Sequence, residues 1–453
     1  MAKENKKAAL SLEERLDAAL VPDWEQPYKV PANWCWTSIG AINRYSGSSV
    51  DPLSKPETIF ELYSVPSSAE DYPEIIKGKE IGSTKQSVKK GDVLLCKINP
   101  RINRVWYVAQ HTENPLIASS EWIVVRNEQI NSKYLMWCMR SEYFRDYMLS
   151  NVSGVGGSLM RAQPKYVQGY PIPLPPLAEQ QRIVDRIESL FAKLDEAKEK
   201  AQAVVDGFED RKAAILHKAF AGELTAEWCA KNDVSFDSWN QYSIAEICHS
   251  LKYGTAKKSQ DSGSVVVIRM GNLQSGEIDW SDLAFTDDEE DITKYKLMPG
   301  DVLFNRTNSA ALVGKTSIYR GEYPAIYAGY LIKLDYDHDI VIGDYLNYAL
   351  NTYEAKQFCN SVKTDGVNQS NINAKKIGAF VIPVPSIKEQ EIIVERVKRL
   401  LEKELKAKEA SEQVIDQIDV MKKSILARAF RGELGTNDTN DENAIELLKK
   451  VLQ

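Results

Sequence analysis

The chain has 453 residues, of which 43% are apolar and 27% charged, and its formal net charge is −7. This length is too great for one small core and fits two or three domains, while the apolar content excludes an extensively disordered protein. The negative net charge argues weakly against a simple nucleic-acid-binding protein, whose charge is usually positive.

The sequence indicates neither a membrane anchor nor a metal centre. It has no apolar run near the ~18 residues of a membrane-spanning helix. Lysines near the N-terminus precede the acidic segment SLEERLD, where a secretory signal needs an apolar stretch, so we expect a cytoplasmic protein. The six cysteines lack zinc-ligand spacing and the four histidines complete no site, so we expect reduced, structural cysteines and no metal.

The chain opens with a short amphipathic segment that carries Leu12, Leu16 and Leu20 and then a proline-containing linker. Residues 31–172 follow, with short apolar strands such as GDVLLC and EWIVV between turn signals. One amphipathic helix is predicted for the segment YLMWCMRSEYFRDYM. This part of the chain is therefore predicted to form an α+β domain.

A long helix is predicted next, near residues 177–221. Its apolar residues recur at steps of four and three, the 3.5-residue period of a coiled-coil seam, with a polar break at Arg211. Pro175 and Pro176 precede the helix and Gly222 follows it, where these residues favour a helix start and a helix end. The seam comprises Ile183, Ile187, Leu190, Leu194, Val204 and Phe208.

The rest of the chain repeats this order. Residues 225–382 contain GDVLF, GYLIKL and the helical segment YLNYALNTYEAKQFC, which echo the first domain. The helix segment then returns at a constant offset of 210 residues, as PVPSIKEQEIIVERV after PLPPLAEQQRIVDRI. A second helix is predicted near 387–431, with polar breaks at Glu404 and Ser411. Its seam comprises Ile393, Val397, Leu400, Val414, Ile418 and Ile425.

Two isolated helices of this length would leave their apolar seams exposed, so we expect them to pair with each other. The alternative is that each helix packs only into its own domain. We expect the two end segments of the chain to cap opposite ends of the helical pair. The predicted fold class is α+β, with two α/β domains separated by two long helices that form an antiparallel coiled coil, a pseudo-two-fold internal repeat. The predicted segments are 1–30, 31–172, 173–224, 225–382, 383–434 and 435–453.

The doubled helix segment resembles that of a known family. Both copies open with P-x-P-x-x-x-E-Q-x-x-I-V and close with A-F-x-G-E-L, and each follows a domain that contains a G-D-V-L strand. The arrangement covers nearly the whole chain and resembles the specificity (S) subunit of type I restriction–modification systems. The resemblance implies that each domain is a target-recognition domain reading one half of a split sequence in double-stranded DNA. It also implies that the helices set the gap between the two halves.

Partners and cofactors follow from the same resemblance. Two methyltransferase (M) subunits would dock on the paired helices, bind S-adenosylmethionine and methylate adenine N6 in each half-site. Motor-nuclease (R) subunits, which use ATP and Mg²⁺, would join them to cleave unmodified DNA. This chain itself would be non-catalytic, with no cofactor or metal of its own.

Base edges in DNA are read mainly by arginine and lysine on guanine and by asparagine and glutamine on adenine. These residue types cluster after the G-D-V-L strand of each domain and again in a glycine-containing loop before each long helix. The alternative for each cluster is a plain solvent-exposed loop. The first loops offer Lys97, Asn99, Arg101, Asn103, Arg104, Asn305, Arg306 and Asn308. The second loops offer Ser158, Arg161, Lys165, Asn368, Gln369, Ser370 and Asn371.

Two other functions stay open on the sequence alone. A coiled-coil scaffold that presents two domains to protein or sugar ligands would fit the negative net charge. A self-contained DNA methyltransferase or nuclease would need a glycine-rich cofactor motif or a carboxylate constellation, and the sequence offers neither in a convincing context.

Overall fold

The computed structural model describes residues 10–153, 160–235, 238–367 and 369–453. The chain divides into two compact units: unit 1 consists of Met1–Lys200 and Val414–Gln453, and unit 2 of Ala201–Gln413. Because the division falls inside both long helical segments, each unit combines one α+β domain with part of both segments.

Helices in the described residues include short domain helices and the long segments. Several begin at side-chain caps; Ser11 and Glu14, for example, accept hydrogen bonds from each other's backbone N–H. The helices are α1 (Leu12–Ala19), α2 (Ile39–Ile42), α3 (Ser132–Arg140), α4 (Glu142–Ser150), α5 (Pro164–Val167), α6 (Leu177–Asp206), α7 (Phe208–Phe220), α8 (Ala226–Lys231), α9 (Ile244–Ile247), α10 (Glu289–Lys294), α11 (Gly343–Leu350), α12 (Tyr353–Val362), α13 (Ala374–Gly378), α14 (Ile387–Ala429) and α15 (Ala444–Leu452).

The strands are short and fall into two comparable sets. In unit 1 they are β1 (Cys35–Ser38), β2 (Ser49–Val50), β3 (Ile59–Tyr63), β4 (Glu74–Lys77), β5 (Lys85–Ser87), β6 (Val93–Cys96), β7 (Val105–Tyr107), β8 (Leu116–Ala118), β9 (Trp122–Val125), β10 (Val152–Ser153), β11 (Arg161–Ala162) and β12 (Pro171–Leu174). In unit 2 they are β13 (Asn240–Ser243), β14 (Cys248–Tyr253), β15 (Val265–Ile268), β16 (Leu273–Gln274), β17 (Glu277–Ile278), β18 (Phe285–Thr286), β19 (Val302–Asn305), β20 (Thr307–Asn308), β21 (Thr316–Ile318), β22 (Ala325–Tyr327), β23 (Leu331–Tyr336), β24 (Thr364–Asp365), β25 (Ser370–Asn371) and β26 (Val381–Val384).

The buried G-D-V-L strand is central in each domain. In unit 1, β6 lies between β7 and β9 and is antiparallel to both. In unit 2, β19 lies in the same way between β21 and β23. A second sheet in each unit contains a parallel pair of strands, β3 with β8 in unit 1 and β15 with β22 in unit 2. Each unit also has a separate antiparallel pair, β1 with β12 and β13 with β26. The predicted α+β class and internal repeat are therefore confirmed.

The E-Q dipeptide that opens each long helix is buried and ties the helix to its domain. The Gln180 side chain donates a hydrogen bond to the Pro175 carbonyl and accepts one from the Asn131 N–H, both at 2.9 Å. Gln390 makes corresponding bonds in unit 2 at 2.9 and 3.0 Å. A buried amide with both ends bonded fixes its neighbours in place, because breaking either bond leaves an unsatisfied polar group.

The glutamates before these glutamines hold the segment that follows each long helix. Thr225 donates a hydrogen bond from Oγ1 to Glu389 Oε1 at 2.7 Å, and Thr436 donates one to Glu179 Oε1 at 2.6 Å. Burial raises the pKa of the Glu179 carboxyl. The C-terminal segment thus plays in unit 1 the part that residues 222–231 play in unit 2.

The two end segments of the chain both lie in unit 1. Apolar residues of α1 and α15 pack into one core with the first domain, and Arg15 donates a hydrogen bond to the Leu452 carbonyl at 2.6 Å. The prediction that they cap opposite ends of the helical pair is wrong. Their apolar faces pack against each other and against the first domain, so both segments belong to the core of unit 1.

Within unit 1, residues 177–200 of α6 pack against residues 414–429 of α14. Lys198 Nζ lies 3.1 Å from Asp419 Oδ1, and Lys422 Nζ lies 2.5 Å from Asp195 Oδ1. Residue numbers increase along one helix as those of the paired residues decrease along the other, so these segments are antiparallel. The predicted seam residues Ile183 and Ile187 are fully buried, as a coiled-coil seam requires.

Within unit 2, residues 201–220 pack in the same antiparallel sense against residues 387–413. Two of the three polar residues that break the predicted seams face each other, with Arg211 Nε 2.5 Å from Glu404 Oε2. Ile393 and Val397 are fully buried in the same core as Leu216. In both units the helix pairing therefore confirms the predicted antiparallel arrangement.

The first long segment is not one helix, as predicted over 177–221, but α6 and α7 separated at Gly207. Arg211 Nη2 donates a hydrogen bond to the Val204 carbonyl at 2.7 Å and so satisfies an acceptor near the break. The second helix, α14, matches its predicted bounds to within two residues.

One predicted seam residue of α14 does not face the partner helix. Val414 is 42% exposed, whereas its neighbour Ile415 is partly buried. A 3.5-residue period does not decide between two adjacent apolar residues, because either choice gives the same mean step. In the structure Ile415 takes the partly buried place. Lysines of α14 also cover aromatic rings of the first segment, with Lys408 over the Phe208 ring at 5.3 Å and Lys422 over the Phe191 ring at 5.1 Å.

Replacing Glu404 alone by leucine is expected to lower the stability of the helix pair by about 1 kcal/mol, because Arg211 loses its partner. Replacing both Arg211 and Glu404 by leucine is expected to restore or exceed the original stability, because two facing apolar residues then replace the ion pair in the seam. Thermal unfolding of the two variants checks this. A double variant that is less stable than Glu404→Leu contradicts it.

Candidate nucleic-acid interface

The two polar loops predicted in the first domain lie side by side in unit 1. The Ala162 N–H donates a hydrogen bond to the Lys97 carbonyl, and the Asn99 N–H donates one to the Met160 carbonyl, both at 2.9 Å. Ile98 pairs with Arg161 across this junction. The chain leaving β6 is therefore joined to β11, although about 60 residues separate them.

The second domain makes the same junction. The Ile372 N–H donates a hydrogen bond to the Arg306 carbonyl at 2.9 Å, and β20 pairs antiparallel with β25. Thr307 lies opposite Asn371, whose side chain donates to Thr307 Oγ1 at 2.8 Å. Both domains thus place their two candidate loops at one edge of the sheet that contains the G-D-V-L strand.

Hydrogen bonds identify which residues occupy equivalent places. The Lys97 N–H donates to the Glu121 carbonyl at 2.9 Å, and the Arg306 N–H donates to the Tyr330 carbonyl at the same distance. Lys97 therefore corresponds to Arg306 and Glu121 to Tyr330. The two junctions share a backbone arrangement but carry unlike side chains, which suits two surfaces that bind different sequences.

The candidate side chains differ in how accessible they are. Arg101, Arg161, Lys165 and Gln369 are exposed, and the others that remain accessible are partly buried: Lys97, Arg104, Arg306, Asn308 and Asn371. Two of the exposed cations have partners within the chain. Arg161 Nη1 lies 2.8 Å from a carboxylate oxygen of Glu121, and Lys165 Nζ lies 4.6 Å from the centre of the Tyr166 ring.

Arg306 is held in a defined orientation. Its guanidinium carbon lies 4.7 Å from the centre of the Tyr253 ring, and Nη1 donates to the Gly329 carbonyl at 3.3 Å. The Tyr253 hydroxyl accepts a hydrogen bond from the Ala374 N–H at 2.9 Å. A stacked guanidinium with a fixed plane is suited to bidentate recognition of an acceptor pair.

The sequence predictions missed Tyr253 and the half-exposed Tyr330. Tyr253 directly precedes Gly254, and Tyr330 directly follows Gly329. At Gly254 an added Cβ would lie 2.1 Å from a backbone oxygen, so only glycine allows the two backbone segments to approach so closely there. A glycine beside an aromatic residue at a strand end was the available signal.

Two of the residues predicted to contact DNA are buried in the structure. Asn305 is fully buried, and its Oδ1 accepts a hydrogen bond from the Thr307 N–H at 3.2 Å. Ser370 is 2% exposed and donates to Asp365 Oδ1 at 2.5 Å. Asn305 ends the core strand β19, where successive side chains alternate between faces, and its own side chain points inward.

Two further asparagines shape the first loop. Asn99 and Asn103 adopt left-handed backbone conformations with φ of 48° and 50°, which asparagine tolerates better than most residues. Asn103 also donates a hydrogen bond to the Met139 carbonyl at 2.9 Å. The turn between them presents Arg101 to solvent. The candidates Ser158 and Asn368 lie outside the described residues.

Five of the six cysteines, all of which lie in the described part of the chain, are buried. All six cysteines are free, and burial raises the pKa of the Cys35 thiol to about 12 and that of Cys359 to about 11. The described residues contain no cluster of histidine, cysteine, aspartate or glutamate that suits a metal ion. Among the same residues, no helix is long and apolar enough to cross a membrane.

Matched but unlike polar junctions, carried by two repeated domains, are the arrangement expected of a sequence-specific DNA-recognition protein. The sequence model of the family described as "Type I restriction modification DNA specificity domain" matches residues 53–205 and 237–417, about three quarters of the chain. The chain belongs to this family of type I restriction–modification specificity subunits.

Relatives and solved structures agree with this assignment. The type I restriction enzyme EcoKI specificity subunit of Escherichia coli K12 is 28% identical over 318 residues, which are 69% of this chain and 68% of the relative. The fold is similar to that of the HsdS subunit from Thermoanaerobacter tengcongensis, with a TM-score of 0.65 at 21% identity over 90% of this chain and 100% of that chain. A structure described as the basis of complex assembly and conformational transition of the type I R-M system gives 0.69 at 21% identity over the same shares. The alternative of a scaffold for protein or sugar ligands receives no support.

Proposed function

We propose that this chain is the non-catalytic DNA-reading subunit of a type I restriction–modification complex, in which each domain reads one half of a bipartite sequence in double-stranded DNA. The observation that carries this proposal is the pair of equivalent loop junctions with unlike side chains. A repeated backbone with different side chains is what two unlike half-sites require.

The side chains at the junctions have the chemistry of base readout. Lys97, Arg101 and Arg104 in unit 1 suit guanine, whose N7 and O6 accept hydrogen bonds in the major groove. Unit 2 offers Arg306 for guanine and Gln369 for adenine. Exposed cations at the same edge also supply the phosphate contacts that fix the register of a protein on DNA.

The partners follow from family membership. Two methyltransferase subunits that bind S-adenosylmethionine would dock on the paired helices and methylate adenine N6, and motor-nuclease subunits using ATP and Mg²⁺ would cleave unmodified DNA. The complex would work in the cytoplasm, where the DNA is. Because α14 belongs to both units, its length would contribute to the gap between the half-sites.

The proposal is tested by expressing the chain with its methyltransferase partner and sequencing N6-methyladenine across a plasmid library. We expect one bipartite motif with a constant gap. Exchanging residues 31–172 for the corresponding domain of a relative is expected to change one half of that motif and leave the other half and the gap unchanged. Methylation without a bipartite motif, or a change in both halves, contradicts the proposal.

A further inference from the structure

The first reading loop is the segment 97–104 after β6, and the second is the loop that contains β11. A basic groove of about 420 Å³ lies within unit 1, outside the junction of these two reading loops. One wall is the C-terminal end of the first reading loop, another is formed by α3 and α4, and the third by the last turns of α14. Its charged lining residues are Arg104, Arg140, Arg145, Lys422, Lys423 and Glu142.

The positive charge of the groove is only partly balanced. Lys423 Nζ lies 3.0 Å from Glu142 Oε1, and Arg145 Nη2 lies 3.7 Å from the same oxygen, so one carboxylate serves two cations. Lys422 is paired with Asp195 on the neighbouring helix. Five basic side chains thus line the groove against one acidic side chain in its lining, a balance that favours an anionic ligand.

Donors along the groove also exceed the available acceptors. Arg140 uses Nε and Nη2 on a single carbonyl, that of Val105, at 3.1 and 2.9 Å. A surface with spare donors and positive charge fits a ligand that carries acceptors and negative charge, as a phosphodiester does.

Unit 2 also has lysines at the corresponding place, but they donate hydrogen bonds to acceptors within unit 2. Lys212, which corresponds to Lys422 by the repeat offset of 210, donates to the Ser275 carbonyl at 3.3 Å. Lys315 donates to Gln274 Oε1 at 2.9 Å. Both acceptors belong to the hairpin β16–β17, which lies in this region of unit 2. Unit 1 shows no such hairpin among its described residues, and its groove stays open.

We propose that this groove binds backbone phosphate of the DNA beside the half-site that the first domain reads. The inference rests on the proposed function and adds a phosphate-binding surface to it. Arg104 belongs both to the first reading loop and to the groove wall, so a duplex read by that loop passes close to Lys422 and Lys423. An acidic protein segment is the other ligand class that would fit the charge, and the continuity with the reading loop favours DNA.

The test uses the complex of this chain with its methyltransferase subunits and the double variant Lys422→Gln, Lys423→Gln. Affinity for the cognate duplex is measured between about 50 and 200 mM salt. Each lost phosphate contact is expected to reduce the slope of log K against log salt by roughly 0.9, so the double variant should lose one to two units of slope. The methylated motif should stay the same, because phosphate contacts carry no base information.

A matched control is Lys198→Gln, Lys200→Gln. It also removes one interhelix lysine–aspartate pair and one more exposed lysine, but neither residue lines the groove. Arg145→Gln, on the opposite wall, provides a second variant that leaves α14 untouched and should also lower the slope. An unchanged slope in both groove variants overturns the inference, as does a changed motif. Failure of the double variant, but not the control, to assemble with methyltransferase subunits also overturns it and assigns the groove to a protein partner. A wild-type complex without sequence preference instead overturns the proposed function.

Discussion

Replacing Arg306 by glutamine is expected to relax one position in the half-site read by the second domain and to leave the other half-site unchanged. A bidentate arginine–guanine contact contributes about 1–3 kcal/mol of discrimination, so the preference for the cognate base should fall by roughly 5- to 150-fold. Relative methylation rates on duplexes that differ at single positions give this ratio directly.

The expectation rests on how Arg306 is held. The Tyr253 ring fixes the plane of the guanidinium, and one terminal nitrogen is already used on the Gly329 carbonyl. Arg306→Lys keeps the charge but loses the planar fork and the stacking geometry. It should therefore retain the salt dependence of binding while losing most of the discrimination. Tyr253→Leu should give a smaller loss at the same position, because it releases the guanidinium without removing it.

The control is Lys296→Gln, which removes one positive charge from an exposed site of unit 2 outside the reading loops. Equal effects of this change and of Arg306→Gln would mean that Arg306 acts only through charge. A uniform loss of affinity on all duplexes, with discrimination intact, would reassign Arg306 to a phosphate contact.

The second large effect is expected from Glu389→Ala, which should destabilise the start of α14 and the segment packed on it by about 2–4 kcal/mol. The buried carboxylate accepts hydrogen bonds from Thr225 Oγ1 at 2.7 Å, Cys229 Sγ at 3.1 Å and Trp239 Nε1 at 3.2 Å. Removing it takes away one buried acceptor that serves all three groups and leaves a cavity.

Hydrogen exchange measured by mass spectrometry resolves this effect locally. Peptides from residues 222–235 should exchange faster, by roughly 30-fold or more, while the sheets of unit 1 keep their protection. Glu391→Ala is the matched control, because that glutamate is two residues further along and exposed. If the two variants exchange alike, the buried glutamate does not hold the segment in place.

The twin position, Glu179, connects this result to the fold of unit 1. Its partner Thr436 lies in the C-terminal segment, 257 residues away in sequence. Shortening the chain before Thr436 should therefore weaken the first domain rather than only remove a tail. The same local contact is made by a continuous segment in unit 2 and by the chain end in unit 1.

The sequence by itself determined the repeated architecture of this protein. The offset of 210 residues, the E-Q helix opening and the 3.5-residue seam predicted two α+β domains and two long helical segments with antiparallel pairing. Such features depend on the spacing of apolar residues and on the internal repeat, both of which can be read directly from the sequence. The same patterns identified the loops that meet at each junction, because arginine, lysine, asparagine and glutamine stand out where a buried strand ends.

Tertiary structure decided what depends on which neighbour a side chain meets. The sequence pattern did not reveal the burial of Asn305 and Ser370, the choice of Ile415 over Val414 or the break at Gly207. Packing also brought α1 and α15 together in unit 1 and opened the basic groove there, while a hairpin occupies the corresponding region of unit 2. Sequence period fixes which face of an element is apolar, whereas the partner of that face is set only when the whole chain has found its lowest free energy.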